Sequence, residues 1–390
     1  MAVQYLPDLL RHVARPRALE LGSRLVTGNR WERPPDWECV GTDIVPGPGV
    51  DLVADAHELS RHLAPESFDA VFSSAVFEHL AMPWKVVLEL NAILRPGGVV
   101  WIGTHEAFPI HEWPWDFFRF GQDVWPTLFS ARTGFELIGS RPLQPCRVRP
   151  VAAEHAPFLS HTGTEVQARK TGPADPALRW DVALNELLPP AHLYPASRRR
   201  WWRRARTAFG RAVRVTGIGA RHASPADPWR MAAHGRRWLV ARGPHARGPA
   251  LAGDEVEAGP PLRAKLASIA PGTLEAVALV GALEIEPEPW RLVEALHRVL
   301  APGGWVYLDT AQVAATLPGV PSLWRFSSEA LLALFHAAAG FRLERRSMLD
   351  PCLVEDPLGP PAAGARAYLR TLGLARRTGA FDRARLSWGG

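Results

Sequence analysis

The chain has 390 residues, of which 47% are hydrophobic and 22% charged, so it can form packed domains and is not disordered throughout. Its length favours two domains over a single core. The formal net charge is +6, but eight arginines and no acidic residue lie between Arg198 and Arg214, and the remainder of the chain is at about −2. This local basicity argues against a nucleic-acid-binding surface on either large segment.

The sequence contains neither a pattern for membrane insertion or secretion nor a cysteine pattern for disulfides or metal binding. No run of eighteen apolar residues occurs, and the N-terminal residues lack the pattern of a secretory signal, which predicts a cytoplasmic protein. The three cysteines, Cys39, Cys146 and Cys352, are far apart and in no metal-ligand or redox spacing. The sequence therefore predicts neither a disulfide nor a metal site.

The first 170 residues alternate predicted strands and helices. Apolar strands are predicted at 17–21, 37–43, 50–55, 68–74 and 99–104, and a helix at 83–94. This alternation indicates a doubly wound, mostly parallel α/β sheet with ligands at the carboxyl ends of its strands. Two further strands, 135–143 and 164–170, have no long helical pattern between them. They predict an antiparallel hairpin at the edge of the sheet.

The ends of the first three predicted strands carry polar residues and a glycine. Glu20 and Gly22 stand where the first strand ends, and a glycine there lets the backbone approach a ligand. Asp43 ends the second strand, where a carboxylate can accept both hydroxyls of a ribose. Asp55 ends the third strand, where it could accept from an adenine amino group. Taken alone, each aspartate would by default be a helix N-cap, but the ordered series favours a nucleoside site.

Five motifs between Arg17 and Lys170, in this order, resemble class I S-adenosylmethionine-dependent methyltransferases of the type 11 branch: ALELGSR, GTD, VADAHEL, FDAVFSSAVFEHL and LRPGGVVWIGTH. The resemblance implies a Rossmann-like fold and S-adenosyl-L-methionine as the cofactor. The cofactor-binding residues that it implies are Glu20, Gly22, Ser23, Asp43, Asp55, Ala56 and Ser73. One departure is Arg24, which stands where the family usually has another glycine. The segment THEAFPIHEWPWDFFRF resembles a bacterial subgroup found beside enzymes of sugar-polymer biosynthesis, which implies a saccharide acceptor.

Candidate catalytic residues follow the fourth and fifth strands. Methyl transfer from a sulfonium needs alignment and, for a hydroxyl acceptor, a base. His79 and His105 are both placed to take a proton, although His79 could instead hold a loop. His111 and Asp116 are assigned to the site because burying them unpaired would be unfavourable. The aromatic residues around them form either a lid over the acceptor or part of the core.

The sequence contains an internal repeat. At a constant offset of 206, residues 64–137 match residues 270–343 without a gap, and 23 of the 74 positions are identical. The residues that correspond to His79, His105, His111 and Asp116 are Ile285, Ala311, Leu317 and Ser322. Upstream, about fifteen residues are missing, which predicts that the second copy lacks the second strand and its aspartate. We therefore expect a folded, truncated copy without a site, which could cover the first domain, form a dimer interface or hold part of an acceptor.

The predicted domains are a methyltransferase domain (1–172), a basic linker rich in Pro, Arg and Trp (173–228), a degenerate methyltransferase-like domain (229–355) and a C-terminal tail (356–390). Within the linker, apolar residues from Trp201 to Val213 recur at helical spacing while arginines fill the other face, which predicts an amphipathic helix. This helix either lies on the anionic inner membrane or packs its tryptophans against a domain, and co-sedimentation with anionic vesicles at low salt distinguishes the two. No RNA-binding module accompanies it, so nucleic acid is not the expected partner.

These observations predict an S-adenosylmethionine-dependent methyltransferase that methylates an oxygen of a saccharide or surface-polysaccharide precursor. One alternative is a small-molecule O- or N-methyltransferase of secondary metabolism. The other is a catalytically silent methyltransferase-like scaffold or binding protein. The sequence sets neither the identity of the acceptor nor the oligomeric state.

Overall fold

The computed structural model describes residues 3–25, 33–188, 238–244, 246, 253–355 and 367–388. The strands of the first copy are β1 (Arg17–Leu21), β2 (Glu38–Asp43), β3 (Leu52–Val53), β4 (Phe68–Ser74), β5 (Leu94–His105), β6 (Phe118–Phe120), β7 (Phe135–Pro142), β8 (Pro145–Pro150), β9 (Phe158–His161), β10 (Gly163–Lys170) and β11 (Leu178–Trp180). Its α-helices are α1 (Leu6–Leu9), α2 (Pro83–Ile93), α3 (Trp125–Leu128) and α4 (Leu184–Leu187).

The first sheet has the strand order β3-β2-β1-β4-β5-β10-β7. β1 pairs in parallel with β2 and β4, and β4 with β5, whereas β10 lies antiparallel between β5 and β7. The predicted mostly parallel sheet with an antiparallel hairpin at its edge is therefore confirmed. α2 begins at Pro83, whose missing N–H is tolerated in a first turn, and it buries Trp84 and Leu90 in the hydrophobic core. The parallel strands bring the carboxyl ends of β1, β2, β4 and β5 together.

The second copy repeats this order. Its strands are β12 (Trp238–Arg242), β13 (Asp254–Glu257), β14 (Leu274–Val280), β15 (Leu300–Thr310), β16 (Trp324–Phe326), β17 (Phe341–Glu355), β18 (Ala367–Arg377) and β19 (Leu386–Trp388). Its α-helices are α5 (Pro260–Ser268), α6 (Pro289–Val299) and α7 (Ala330–Leu334). The sheet runs β13-β12-β14-β15-β18-β17 and continues into β8 and β9. Its first six strands thus correspond to β2-β1-β4-β5-β10-β7.

The second copy does have a second strand, so the expectation that it lacks one is wrong. β13 pairs in parallel with β12, as β2 does with β1. Val256 takes the register position of Thr42, so Glu257 stands where Asp43 stands in the first copy. The strand is hard to recognise in the sequence because DEVE lies at an exposed edge and is mostly acidic. Among the described residues no strand corresponds to β3, and the copy remains truncated at this edge.

Residues 367–377, expected in a C-terminal tail, form an interior strand of the second sheet, and that expectation is wrong for them. β18 lies between β15 and β17, in the position of β10. Ala168 faces Val100 and Ala375 faces Val306, so the repeat continues at an offset of 207. The gapless match at 206 ends before this change, which is why the repeat is shorter in the sequence than in the structure. β19 then pairs with β11 of the first copy.

The two copies pack about a pseudo-twofold axis. β6 and β16 pair antiparallel, and their central arginines, which are repeat equivalents, face each other. The N–H of Gly121 donates to the carbonyl of Leu323 at 2.7 Å, and the equivalent N–H of Ser327 donates to the carbonyl of Phe117 at 2.9 Å. Such contacts between identical patches are typical of the two subunits of a symmetric dimer. The repeat is therefore arranged as a dimer within one chain.

A second strand pair follows the same symmetry. β8 leaves the first copy and pairs antiparallel with β17 of the second sheet, where Val148 faces its own equivalent, Val354. Arg149 Nε lies 2.7 Å from Oε1 of Glu355, again a pair separated by 206 residues. Strand pairing therefore joins the copies at more than one place.

The hydrophobic core is continuous between the copies. Trp84 of α2 and its equivalent, Trp290 of α6, are both almost fully buried, with ring centroids 4.6 Å apart. Phe118 and Trp324 add an edge-to-face contact at 5.6 Å beside them. Because aromatic side chains bury large areas, this cluster contributes strongly to the association of the copies.

The basic linker is described only at its beginning, where β11 and α4 lie against the domains. Residues 198–214, predicted as a basic amphipathic helix, lie outside the described residues. Within the part of the chain that the structure describes, no helix has both the length and the apolar character needed to cross a membrane.

The tryptophan pair gives a test of the shared core. We expect Trp84→Ala and Trp290→Ala each to lower the free energy of unfolding by about 3–5 kcal/mol, because each leaves a large cavity beside the other ring. The double variant should lose less than the sum, since the two rings contact each other. Denaturant unfolding measures these values, and Leu159→Ala, at a residue 69% exposed, is the control. Additive losses would contradict a shared core.

Candidate active site

A cavity of about 370 Å³ opens at the carboxyl ends of β1, β2, β4 and β5. The predicted site residues that line it are Gly22, Asp43, Asp55, Ala56, His79, His105 and His111. The first four were predicted to bind the cofactor and the last three to act in catalysis. One cavity therefore joins the two predicted groups. The predicted residues that do not line it are Glu20, Ser23, Ser73 and Asp116.

Gly22 makes the turn after β1. Its φ is +79°, a left-handed conformation that favours glycine. A Cβ at this position would lie only 2.2 Å from Cγ2 of Val76, which follows β4. Its N–H donates to the carbonyl of Thr42 at the end of β2. The turn is therefore packed closely against both neighbouring strand ends and leaves no room for a side chain.

Asp43 ends β2 beside an arginine. Its Oδ1 accepts the N–H of Val45 at 2.8 Å, and Arg24 Nε lies 3.5 Å from the same oxygen. Arg24, the residue that departs from the family pattern, also lines the cavity. Its positive charge therefore lies next to the carboxylate that is predicted to bind the ribose.

Three predicted cofactor residues are placed outside the cavity wall. The Glu20 carboxylate accepts two hydrogen bonds from Arg33, at 2.6 and 2.8 Å. The hydroxyls of Ser23 and Ser73 are buried and make no hydrogen bond within the described part of the chain. The structure does not bring these three side chains into the cavity.

Asp55 follows β3 and caps the next turn, as the N-cap interpretation predicts. Its Oδ1 accepts the N–H of His57 at 2.9 Å and contacts His57 Nδ1 at 2.7 Å. Burial acts to raise the pKa of Asp55, but the hydrogen bonds and charge of His57 outweigh it and hold that pKa below its ordinary value. Asp55 is therefore an anionic group in the cavity wall, beside Ala56.

The histidines at one end of the cavity surround a buried residue that is absent from the sequence prediction and does not itself line the cavity, Glu78. Its side chain is fully buried, and its Oε2 accepts the hydroxyl of Thr104 at 2.6 Å. Its Oε1 lies 3.3 Å from His105 Nε2, 3.8 Å from His79 Nε2 and 3.8 Å from His111 Nε2. Burial acts to raise the pKa of Glu78, but the charges of the histidines and the Thr104 hydrogen bond hold it below its ordinary value.

The three histidines differ in their surroundings. His79 Nδ1 hydrogen-bonds the carbonyl of Trp115, so this residue does hold a loop as well as line the cavity. His105 stacks on Phe108, with ring centroids 3.9 Å apart. Burial is the main cause that lowers the pKa of His105 to about 4, and the residue is neutral near pH 7.

Asp116 lies behind His111. Its carboxylate is fully buried, forms an ion pair with Arg119 and lies 3.2 Å from His111 Nδ1. Burial acts to raise the pKa of Asp116, but the Arg119 charge and hydrogen bonds hold it far below its ordinary value. The hydrogen bond to Asp116 in turn raises the pKa of His111 against the effect of burial. Asp116 is therefore placed to orient His111 and not to touch a ligand.

The second copy supports the loop that carries His111. Ser322 Oγ donates to Glu106 at 2.7 Å, and Gln312 Nε2 donates to the carbonyl of Phe108 at 3.1 Å. Ser327 Oγ donates to the carbonyl of Asp116. The second copy therefore contacts the first site through the backbone and side chains of this loop.

Sequence reasoning missed Glu78, although one signal pointed to it. Glu78 and Glu284 are identical in the repeat, at positions where the neighbouring histidines are not. A glutamate kept in both copies, in an otherwise apolar context, indicates a buried carboxylate with a defined place in the fold. His57 and Arg33 were also missed, because the residues they pair with are apparent only in the folded chain.

Glu284 shows what the same glutamate does without histidines. It is buried, and its Oε1 accepts the N–H of Ala311, the residue that replaces His105. In the repeat alignment, Ile285 and Leu317 replace His79 and His111. Burial raises the pKa of Glu284 to about 7, the opposite direction from Glu78. The histidines of the first copy therefore account for the different behaviour of two equivalent carboxylates.

Comparisons with known proteins agree with the fold and the motifs. Residues 35–102 match the family model described as a methyltransferase domain. A stretch of 82 residues, 21% of the chain, is 32% identical to the human thiol S-methyltransferase TMT1B and spans about 30% of that protein. Residues 35–102 therefore belong to a methyltransferase domain, and the motifs between Arg17 and Lys170 extend the resemblance over the segment that carries the cavity.

Solved structures with detectable similarity include a SAM-dependent methyltransferase from Archaeoglobus fulgidus, at 13% identity, covering 42% of this chain and 91% of that one, with a TM-score of 0.31. Another is 1,6-didemethyltoxoflavin-N1-methyltransferase from Burkholderia thailandensis with bound S-adenosylhomocysteine, at 17% identity, 42% and 76% coverage and a TM-score of 0.28. Both TM-scores lie below 0.5, so the class assignment rests on the motifs and the family match.

The two glutamates give a pH test. The folded pKa of Glu284 is about 7 and its ordinary value is 4.5, so the folded state binds this proton more tightly than the unfolded state. The free energy of unfolding should therefore fall as pH rises from about 4.5 to about 7. Glu284→Gln should be neutral near pH 4 and stabilising near pH 8, by roughly 3 kcal/mol.

Denaturant unfolding of the wild type and of Glu284→Gln at both pH values measures the difference. The exposed residue Glu275 provides the control, since Glu275→Gln should change nothing at either pH. Equal effects of Glu284→Gln at pH 4 and pH 8 would show that Glu284 does not titrate as described.

Proposed function

We propose that the first copy transfers the methyl group of S-adenosylmethionine to an acceptor held at the histidines around Glu78. The observation that carries this proposal is the single cavity lined by both Asp43 and His105. S-adenosylmethionine supplies an electrophilic methyl group bound to a sulfonium sulfur. A cavity of about 370 Å³ falls within the usual range for small-molecule sites.

The residues of the first three strand ends fit the cofactor. Gly22 lets the ligand approach the backbone, and Asp43 is the carboxylate assigned to the ribose hydroxyls. Asp55 and Ala56 line the region assigned to the adenine. Glu20, Ser23 and Ser73, which lie outside the cavity, are assigned a supporting role. Carboxylates at these positions suit a nucleoside that carries no phosphate, because they would repel an anion.

Transfer to a hydroxyl requires three coupled changes. A lone pair of the acceptor oxygen bonds to the methyl carbon, and the carbon–sulfur bond breaks with its electron pair going to sulfur. The hydroxyl proton then goes to a base, for which we assign His105, since it is neutral and lies in the cavity wall. Glu78 Oε1, 3.3 Å from His105 Nε2, stabilises the imidazolium that forms.

The proposed acceptor is a hydroxyl of a saccharide or surface-polysaccharide precursor. Phe108 and Trp115 line the acceptor end of the cavity and offer flat apolar faces of the kind that stack on sugars. Two alternatives stay open: a small-molecule O- or N-methyltransferase, and a silent scaffold. Because the human relative is named a thiol S-methyltransferase, small thiols belong in the same acceptor screen as saccharides. A cytoplasmic location and membrane contact through residues 198–214 are further proposals that rest on the sequence.

The cofactor assignment predicts one binding site per chain. In isothermal titration of S-adenosylmethionine into the full chain, we expect a stoichiometry of one and loss of at least about tenfold in affinity in Asp43→Ala, because a charge-assisted hydrogen bond is lost. Asp36→Ala, at an exposed aspartate that does not line the cavity, is the matched control. Absence of binding by the wild-type chain would favour the scaffold alternative.

The base assignment predicts a separation of turnover from binding. His105→Ala should slow methyl transfer by roughly 10²-fold, the usual contribution of a general base, with unchanged cofactor affinity. His62→Ala, at an exposed histidine, should keep full turnover. Transfer of radiolabelled methyl groups to the acceptor identified in the screen measures the rate, and undiminished turnover in His105→Ala would remove this residue from the mechanism.

A further inference from the structure

We propose that Glu78, His79 and His111 bind a divalent transition-metal ion at the acceptor end of the cavity. The sequence analysis predicts no metal site, because the three cysteines lie in no metal-ligand spacing. Metal binding itself is independent of the proposed function, whereas the role given to the ion below rests on it.

The candidate ligand atoms converge on one point. One atom from each of Glu78, His79 and His111 lies within 4.8 Å of the others. The two imidazole Nε2 atoms are each 3.8 Å from Glu78 Oε1. Bonds of 2.0–2.2 Å to a shared zinc-class ion place ligand atoms roughly 3.3–3.5 Å apart, so small side-chain adjustments suffice.

In each candidate ligand, the side-chain atom that does not face the cluster is hydrogen-bonded to a neighbouring residue. His79 Nδ1 is occupied by the carbonyl of Trp115, which leaves Nε2 directed at the cluster. Glu78 Oε2 accepts from Thr104, while its buried Oε1 has no hydrogen-bond partner within the described part of the chain. A buried carboxylate oxygen that lacks a donor is costly unless a cation neutralises it.

His111 has the support that metal-binding histidines usually have. Its Nδ1 lies 3.2 Å from Asp116 and 3.1 Å from the carbonyl of Pro109, and Asp116 is itself fixed by Arg119. A carboxylate behind a histidine fixes the ring and raises its basicity as a ligand. Asp116, which does not line the cavity, is thereby a positioning residue for His111.

The donor set selects the class of ion. Two imidazoles and one carboxylate suit zinc and neighbouring first-row metals, whereas magnesium and calcium prefer oxygen donors. Three protein ligands leave coordination positions open toward the cavity, as in catalytic sites. His105, whose Nε2 is 3.3 Å from Glu78 Oε1, lies beside these positions. The ion would bind the acceptor heteroatom there and lower the pKa of its proton.

The second copy lacks the ligands and supplies an internal comparison. Ile285 and Leu317 replace His79 and His111, and Glu284 bonds instead to the N–H of Ala311. An equivalent glutamate therefore stays in the fold without any possibility of binding a metal with these partners.

The test is a metal titration of the full chain, prepared without a histidine tag and freed of metal with a chelator. We expect one Zn²⁺ per chain by calorimetry, and one Co²⁺ that produces visible d–d absorption. Glu78→Gln and His111→Ala should weaken Zn²⁺ binding by about 100-fold or more, and Asp116→Asn by roughly 10–100-fold. Far-UV circular dichroism checks folding, and His79→Gln replaces any variant that unfolds.

Two matched variants should bind metal like the wild type: Glu284→Gln, at the equivalent glutamate, and His62→Ala. The proposal is overturned if the wild-type chain binds no ion with saturation, or if Glu78→Gln and His111→Ala bind it undiminished. If a proton alone neutralises the carboxylate of Glu78 among its histidines, the wild-type chain will bind no metal ion with saturation.

Titration of S-adenosylmethionine into the metal-free chain separates this proposal from the proposed function. Cofactor binding without metal binding would overturn the metal site and leave the methyltransferase intact. Metal binding without cofactor binding would overturn the proposed methyltransferase function and leave the metal site intact. His105→Ala should keep the metal affinity within about threefold while slowing turnover, because this histidine stands beside the ion as a base and is not one of its three ligands.

Discussion

Burial of one copy against the other about the pseudo-twofold axis is the interaction on which the rest of this structure depends. The tilted rings of Trp84 and Trp290 contact each other there, and β6 pairs with β16. An apolar surface of this kind, exposed on a separate domain, would favour association. Because each copy covers the other, the two sheets share one hydrophobic core. The strand β8, which comes from the first copy, extends the second sheet.

The contact between the copies also includes a loop that carries predicted site residues of the first copy. Its loop between β5 and β6 carries His111 and Asp116, and Gln312, Ser322 and Ser327 of the second copy hydrogen-bond along that loop. A loop held on both sides loses conformational freedom, which is what a precisely placed ligand or base requires. This gives a physical reason why a copy without histidines at its own strand ends would be retained.

Glu78 and Glu284 occupy equivalent positions in the two copies but have different side chains around them. Both are buried at the same place, after β4 and β14, and both lie by a threonine at the end of the next strand, Thr104 or Thr310. Three histidines lower the pKa of one, and their absence leaves the other with a pKa of about 7. The backbone is alike in the two copies, and a few different side chains shift the pKa of the equivalent glutamates in opposite directions.

The sequence by itself determined the positions of the first five strands, the turn at Gly22 and the repeat, because hydrophobic periodicity and glycine conformation are local properties. It also determined which strand ends carry Asp43, Asp55 and the histidines. It did not determine that Glu78 lies at the centre of the histidines, that Asp116 stands behind His111, or that β13 and β18 complete the second sheet. Those relations depend on how side chains and strands meet in the fold, and only tertiary packing decides which of several carboxylates meets which cation and which edge of a sheet receives another strand.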